Sequence, residues 1–205
     1  MSNLTQVVLA TGNAGKIVEM TDILQPYGWQ VVPQIQFFDS EVEETGLTFI
    51  ENAILKARYA SEQTGLPAIA DDSGLEVSAL KGQPGIYSSR YSQDLYGDKA
   101  DDQTNLQKLL KELKTVPEGQ RQASYYCAMV YVEYANDPIP IIGLGRWYGD
   151  ILAAPRGEGG FGYDPIFWVE ELNKSAAELP KAQKNRMSHR GQALNSLVMQ
   201  LRRGA

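Results

Sequence analysis

The sequence predicts an α/β protein: a mixed sheet with flanking helices and an inserted antiparallel β portion. Three patterns carry that expectation. Strand-like apolar runs alternate with amphipathic helical segments in the first part of the chain, the signature of βα units. Two long strand-like runs, 122–134 and 139–153, are separated by Asn136-Asp137-Pro138 and read as an antiparallel hairpin. A helical segment over 181–203 closes the chain.

Taken in order, Val7-Val8-Leu9-Ala10 reads as a buried strand, and 16–25 as a helix ending near Pro26 and Gly28. Gln30 to Pro33 is a short strand. The polar stretch Asp39-Ser-Glu-Val-Glu-Glu-Thr-Gly46 leads to Thr48 and Glu51, spaced as a capping box. Phe49, Ile50, Ala53, Ile54, Ala57 and Ala60 then follow at helical spacing, and Gly65 and Pro67 end that helix. Ala68-Ile69-Ala70 is a short apolar strand running directly into Asp71-Asp72-Ser73-Gly74. Residues 81–99, with Pro84, glycines and tyrosines, read as a long loop. Leu106, Leu109, Leu110 and Leu113 mark one side of a helix over 100–113. After the hairpin, 155–165 is too glycine-rich to be regular.

The composition bounds the function. With 205 residues the chain suits one domain, or two closely joined lobes, with a substantial core. No apolar run reaches membrane-spanning length and the first residues lack the pattern of a signal peptide, so the expectation is a cytoplasmic protein without a membrane partner. The single cysteine, Cys127, excludes an internal disulfide and reads as a buried packing residue. A net charge of −6 argues against a polynucleotide partner, which would want a basic face. It leaves a single nucleotide open, since a few cations and amides can hold one locally.

The chemistry-bearing residues fall in separate segments. A strand entering Thr11-Gly12-Asn13-Ala14-Gly15-Lys16 and then a helix presents backbone N–H groups and one ammonium to a phosphate. It is not a Walker A loop: Ile17 follows the lysine, where that motif needs a hydroxyl for Mg²⁺. An ordinary βα turn with a solvated lysine is the alternative. Glu43-Glu44 precedes a helix, and Asp71-Asp72 follows an apolar strand, where ligands gather in open α/β sheets. Carboxylates placed there suit Mg²⁺, although Asp-Asp-Ser-Gly also reads as a turn. Phe161, between glycines in Gly159-Gly160-Phe161-Gly162-Tyr163-Asp164-Pro165, is placed either to stack on a flat ring or to plug the loop inward. Lys184, with His189 and Arg190 in Ser188-His189-Arg190-Gly191, offers donors to a phosphate or a base edge.

These segments, with Pro84-Gly85-Ile86-Tyr87-Ser88, occur in the order seen in one family. Over nearly the whole chain the sequence resembles the inosine triphosphatase-like dITP/XTP pyrophosphatases. The resemblance implies two lobes around a central cleft within a single pyrophosphatase domain, 1–205. It implies hydrolysis of non-standard purine nucleoside triphosphates (ITP, dITP, XTP) to monophosphate and pyrophosphate. Thr11, Gly12, Asn13, Ala14, Gly15 and Lys16 would bind the triphosphate. Glu43 and Asp72 would hold Mg²⁺, with Asp72 also the general base, and Ser73 would contact substrate. Phe161, Gly162, Tyr163 and Asp164 would form the base pocket, completed by Lys184, His189 and Arg190, while Lys56 would offer a second phosphate contact. Arg190 and the backbone near His189 would favour purines with a 6-oxo acceptor over adenine. The family also implies a homodimer, for which the Tyr- and Trp-containing run 125–148 would supply the interface. A pyrophosphatase for other modified nucleotides and a non-catalytic nucleotide-binding module are the competing readings; acidic residues without a metal would serve the module little.

Overall fold

Parallel pairing at one end of the sheet and antiparallel pairing at the other make it mixed. The computed structural model describes residues 5–12, 14–24 and 29–203. Its strands are β1 (Thr5–Leu9), β2 (Trp29–Pro33), β3 (Ala68–Val77), β4 (Gln122–Val132), β5 (Ile141–Ile151), β6 (Phe167–Val169) and β7 (Lys174–Ser175). Its helices are α1 (Ala14–Leu24), α2 (Phe49–Thr64), α3 (Gln93–Tyr96), α4 (Asp102–Glu112), α5 (Lys181–Met187) and α6 (His189–Arg203). The hydrogen-bonded order is β2-β1-β3-β4-β5-β6-β7. β1 pairs in parallel with β2 and β3, whereas β6 runs antiparallel to β5 and β7. Pro26, Gly28 and Asn13 lie outside the described residues.

The chain divides into two compact units. The first comprises 1–72, 127–145 and 189–205; the second comprises 73–126 and 146–188. Each has its own core. In the first, Val7, Leu9, Ile69, Cys127 and Met129 pack with Met20 and Leu24 of α1 and Leu194 and Leu197 of α6. Alternate strand residues such as Val8, Ala68 and Ala70 point to the other face. There the small buried face of α2, Ala53, Ala57 and Ala60, covers the strands closely. In the second unit, Leu106, Leu109 and Leu113 pack with Tyr125, Trp147, Ile151, Ile166 and Phe167.

The start of α2 follows from its sequence. Thr48 accepts from the Glu51 amide at 3.2 Å, and Glu51 reaches the Leu47 amide and the Thr48 hydroxyl, both at 2.9 Å. Glu51 thus caps one residue further out than the reciprocal box predicts. Gly65, with φ 67°, closes the helix in the left-handed conformation that glycine adopts at least cost.

Three expectations are corrected. Asp71-Asp72-Ser73-Gly74 is neither a turn nor the end of a short strand, because β3 runs ten residues through it. Turn-forming residues continue the strand here because both carboxylates find cations on flanking helices. The final helix is two helices: Ser188, at φ −63° and ψ 158°, is extended, so α5 ends before α6 begins. Residues 81–99 are not irregular, for Gly85–Arg90 and Gly97–Lys99 form 3-10 turns on either side of α3. Among the described residues no helix is long and apolar enough to cross a membrane.

One packing detail positions α6. A β-carbon on Gly145 of β5 would lie 2.0 Å from the His189 carbonyl oxygen, and one on Gly143 would lie 2.1 Å from that of Ala193. The helix therefore lies directly on the backbone of β5, and only glycine permits that approach.

Candidate active site

In the first unit, the alternation of β3 sends its two adjacent aspartates to opposite faces of the sheet. Asp71 shares the face of Ile69, toward α1 and α6. Its Oδ2 lies 2.9 Å from Lys16 Nζ and 3.4 Å from Arg190 Nε. The Asp71 side chain is fully buried. Burial pushes its carboxyl up, but the charges of Lys16, Arg190 and Lys56 outweigh that and hold it well below the usual carboxylate range. Asp71 therefore stays ionised and aims two cations. Lys16 sits in the first turn of α1, where unsatisfied amides and the helix dipole already favour an anion.

Asp72 faces α2. Lys56 Nζ lies 2.9 Å from its Oδ1, and Asn52 donates to its Oδ2 at 3.3 Å. Lys56 also holds Glu44 at 3.0 Å, so two carboxylates share one ammonium. Asn52, four residues before Lys56 and on the same helix face, accepts from the Gly46 amide at 2.8 Å and ties the acidic segment 43–46 to α2. Burial raises the Asp72 carboxyl, Lys56 pulls it down and Glu44 pushes it back up, for a net rise. Burial would lower the Lys56 ammonium, but Asp72, Asp71 and Glu44 raise it.

This donor set fits Mg²⁺. Among the described residues no cluster of three or more His, Cys, Asp or Glu side chains is spaced to hold a metal by itself. Magnesium, however, takes one or two carboxylates and completes its shell with phosphate oxygens and water. Asp72 and Glu44 offer hard oxygens and retain net negative charge beside Lys56. Glu43 is exposed, and it is Glu44 that reaches Lys56. The sequence singles out the Glu43-Glu44 pair but gives the metal to Glu43; the twelve residues between Glu44 and Lys56 hid their contact.

Of the remaining predicted residues of this unit, Thr11 and Gly12 follow β1, and Gly12 is exposed. Ala14, Gly15 and Lys16 form the first turn of α1. His189 and Arg190 open α6 and are buried.

In the second unit Asp164 is the hub. Its Oδ2 accepts from Lys184 Nζ at 2.6 Å and from the Phe161 amide at 2.9 Å. Tyr125 donates to its Oδ1 at 3.5 Å. Tyr163 is buried, and its hydroxyl donates to the Ser88 carbonyl at 2.8 Å. The structure thus gives Tyr163 and Asp164 protein partners. Lys184 Nζ also sits over the Phe161 ring, 5.1 Å from its centroid. Phe161 is half-buried and Ser73 of β3 likewise. The supporting groups Tyr125 and Ser88 were absent from the sequence-based site, since they lie 39 and 75 residues from the partners they touch.

Comparison with known proteins matches residues 7–200 to the Ham1 family model. The chain is 57% identical over 198 residues to the dITP/XTP pyrophosphatase of Vibrio parahaemolyticus, covering 97% of each protein. It is 57% identical to that of Shigella flexneri, covering 98% of this chain and 100% of the relative. The solved structure of a HAM1 protein from Coxiella burnetii superposes with a TM-score of 0.88 at 46% identity, covering 98% of this chain and all of that one.

Proposed function

The chain belongs to the Ham1 family, and from that premise we propose that it hydrolyses non-standard purine nucleoside triphosphates such as dITP and XTP to the monophosphate and pyrophosphate. The observation that carries this reading is the division of labour between adjacent aspartates. Asp71 aims Lys16 and Arg190, and Asp72 stands beside Lys56 and Glu44 on the opposite face. Relatives with the printed name dITP/XTP pyrophosphatase, matching along nearly all of the chain, support the same assignment.

Lys16, the amides opening α1 and the 11–15 segment receive phosphate oxygens of the substrate. Asp72 accepts the proton of the attacking water as its oxygen bonds the α phosphorus. The bond from the α phosphorus to the bridging oxygen then breaks and pyrophosphate leaves. Lys56 and Lys16 offset the charge that develops. Asp72 with Glu43, and with Glu44 beside them, would hold Mg²⁺, which when bound neutralises phosphate oxygens. Phe161 stacks on the purine, Lys184 backs its ring, and Arg190 with the backbone at His189 donates to the 6-oxo group. Ser73 completes the substrate contacts. The same reading carries a cytoplasmic location and a homodimer; exposed Leu144 and Tyr148 on β5 support the latter.

The test is a panel of dITP, ITP, XTP, GTP, dATP and dTTP with Mg²⁺. Phosphate is scored with and without added inorganic pyrophosphatase. Phosphate that appears only with the helper enzyme is the expected result; its appearance without the helper overturns α–β cleavage. Equal kcat/KM for GTP and dITP overturns the selectivity.

A further inference from the structure

We propose that Asp102, the first residue of α4, is a positioning residue that fixes the backbone of Phe161 and so sets the affinity for the purine. The proposal rests on the nucleotide reading above.

The segment 157–164 needs external support. Gly157, Gly160 and Gly162 have φ of 79°, 75° and 63°, and such a glycine-rich stretch loses much conformational freedom when ordered. Phe161 lies within it. The peptide plane before Phe161 carries its own N–H, which donates to Asp164 Oδ2 at 2.9 Å. The plane after it carries the Gly162 N–H, which donates to Asp102 Oδ2 at 2.9 Å. Because a peptide unit is rigid, holding one plane restrains φ of Phe161 and holding the next restrains ψ. Two carboxylates thus grip the phenylalanine from both sides.

The two grips differ in origin. Asp164 lies three residues along the same loop, and Lys184 and Tyr125 hold it from outside the loop. Asp102 lies 60 residues away, on a helix anchored in the core. Leu106, Leu109 and Leu113 bury that helix, and Asn105 accepts from the Ser92 amide at 2.7 Å and donates to the Ser89 carbonyl at 3.0 Å. Asp102 therefore adds, directly beside Phe161, a tie from the glycine-rich loop to a fixed element. With the backbone held and Lys184 over one face of the ring, the other face is kept in a constant orientation for a flat base.

A carboxylate in the first turn of a helix also has a general stabilising role, through the dipole. Three variants separate the two roles. Asp102→Ala removes the acceptor, and Asp102→Asn keeps an oxygen that can accept from Gly162. Asp101→Ala removes the N-cap of the same helix, which accepts from the Thr104 amide at 2.7 Å, without touching Gly162.

The measurements are kcat and KM for dITP, inhibition by tripolyphosphate, which has no base, and hydrogen exchange of the 157–164 amides. For Asp102→Ala the KM for dITP rises about three- to tenfold, the range expected for one lost hydrogen bond. Its kcat and its inhibition by tripolyphosphate stay unchanged, and exchange at Gly162 accelerates. Asp102→Asn and Asp101→Ala behave like the parent chain in both respects. An unchanged KM and unchanged exchange in Asp102→Ala overturn the proposal. So does a rise as large in Asp101→Ala, or a parallel loss of tripolyphosphate affinity. If the parent chain hydrolyses no nucleotide, the functional reading fails by itself, and the exchange comparison still decides whether Asp102 positions the loop.

Discussion

The Lys16–Asp71–Arg190 cluster of the first unit and the Phe161 loop of the second are each built on a buried aspartate, and the two aspartates have different partners. Asp71 meets cations from α1 and α6. Asp164 meets one cation, one backbone amide and one tyrosine hydroxyl. The first arrangement concentrates charge and keeps it pointed; the second shapes a backbone around an aromatic ring. On the proposed reading, the contrast separates charged groups that meet phosphate and the base edge from a ring that stacks on the base. Changes in the first region are expected to lower turnover or stability, and changes in the second to weaken base binding with turnover retained.

The largest effect is expected from Asp72→Asn. Loss of the general base lowers kcat by about 10³-fold, within the usual span for acid–base groups, while circular dichroism and Tm remain near those of the parent. A kcat within tenfold of the parent would remove Asp72 from the mechanism. Next comes Asp71→Asn, which leaves Lys16 and Arg190 near each other without their buried counter-charge. Unfolding in urea should show a loss of about 3 kcal/mol. The pH dependence gives this prediction a sign. The folded carboxyl lies below its unfolded value, so its stabilisation is present above about pH 4 and is lost as pH falls through the folded value. Asp71→Asn should therefore flatten that acid limb; a limb as steep as the parent's would assign it to other carboxylates.

In the second region, Phe161→Ala should raise the KM for dITP about thirtyfold, the middle of the range for base–aromatic stacking, with kcat nearly constant. A fall in kcat with KM unchanged would blur the contrast drawn between the regions. The smallest effect belongs to Tyr163→Phe. It strips one hydroxyl from the Ser88 carbonyl and should cost about 1 kcal/mol of stability by thermal unfolding, with a smaller rise in KM than Phe161→Ala.

Much of this was legible in the sequence because it is local. The start of α2, the buried side of α4 and the helix-opening position of Lys16 follow from spacing over a few residues. β3 was not legible. Asp, Ser and Gly are turn formers by local preference, and the partners that keep 71–74 extended come from elsewhere: Lys56 lies 16 residues from Asp72, and Arg190 lies 119 residues from Asp71. The interruption at Ser188 was hidden for the converse reason, since a serine between two helical stretches gives little local warning. In the candidate site, residue types suggested the charged groups, whereas the choice of Glu44 as the carboxylate on Lys56 and the support of Phe161 depend on contacts across tens of residues.

The seating of α6 on Gly143 and Gly145 has a consequence for anyone reading mutational data on this chain. Neither glycine has a side chain with which to touch a ligand, yet even a methyl group at Gly145 would collide with the carbonyl of His189 and shift the turn that carries Arg190. A genetic screen for lost activity would thus score Gly145 as strongly as a catalytic position. Distinguishing the two takes biochemistry: a displaced Arg190 is expected to lower the melting temperature along with activity, whereas loss of Asp72 alone is expected to leave a stable protein of low activity.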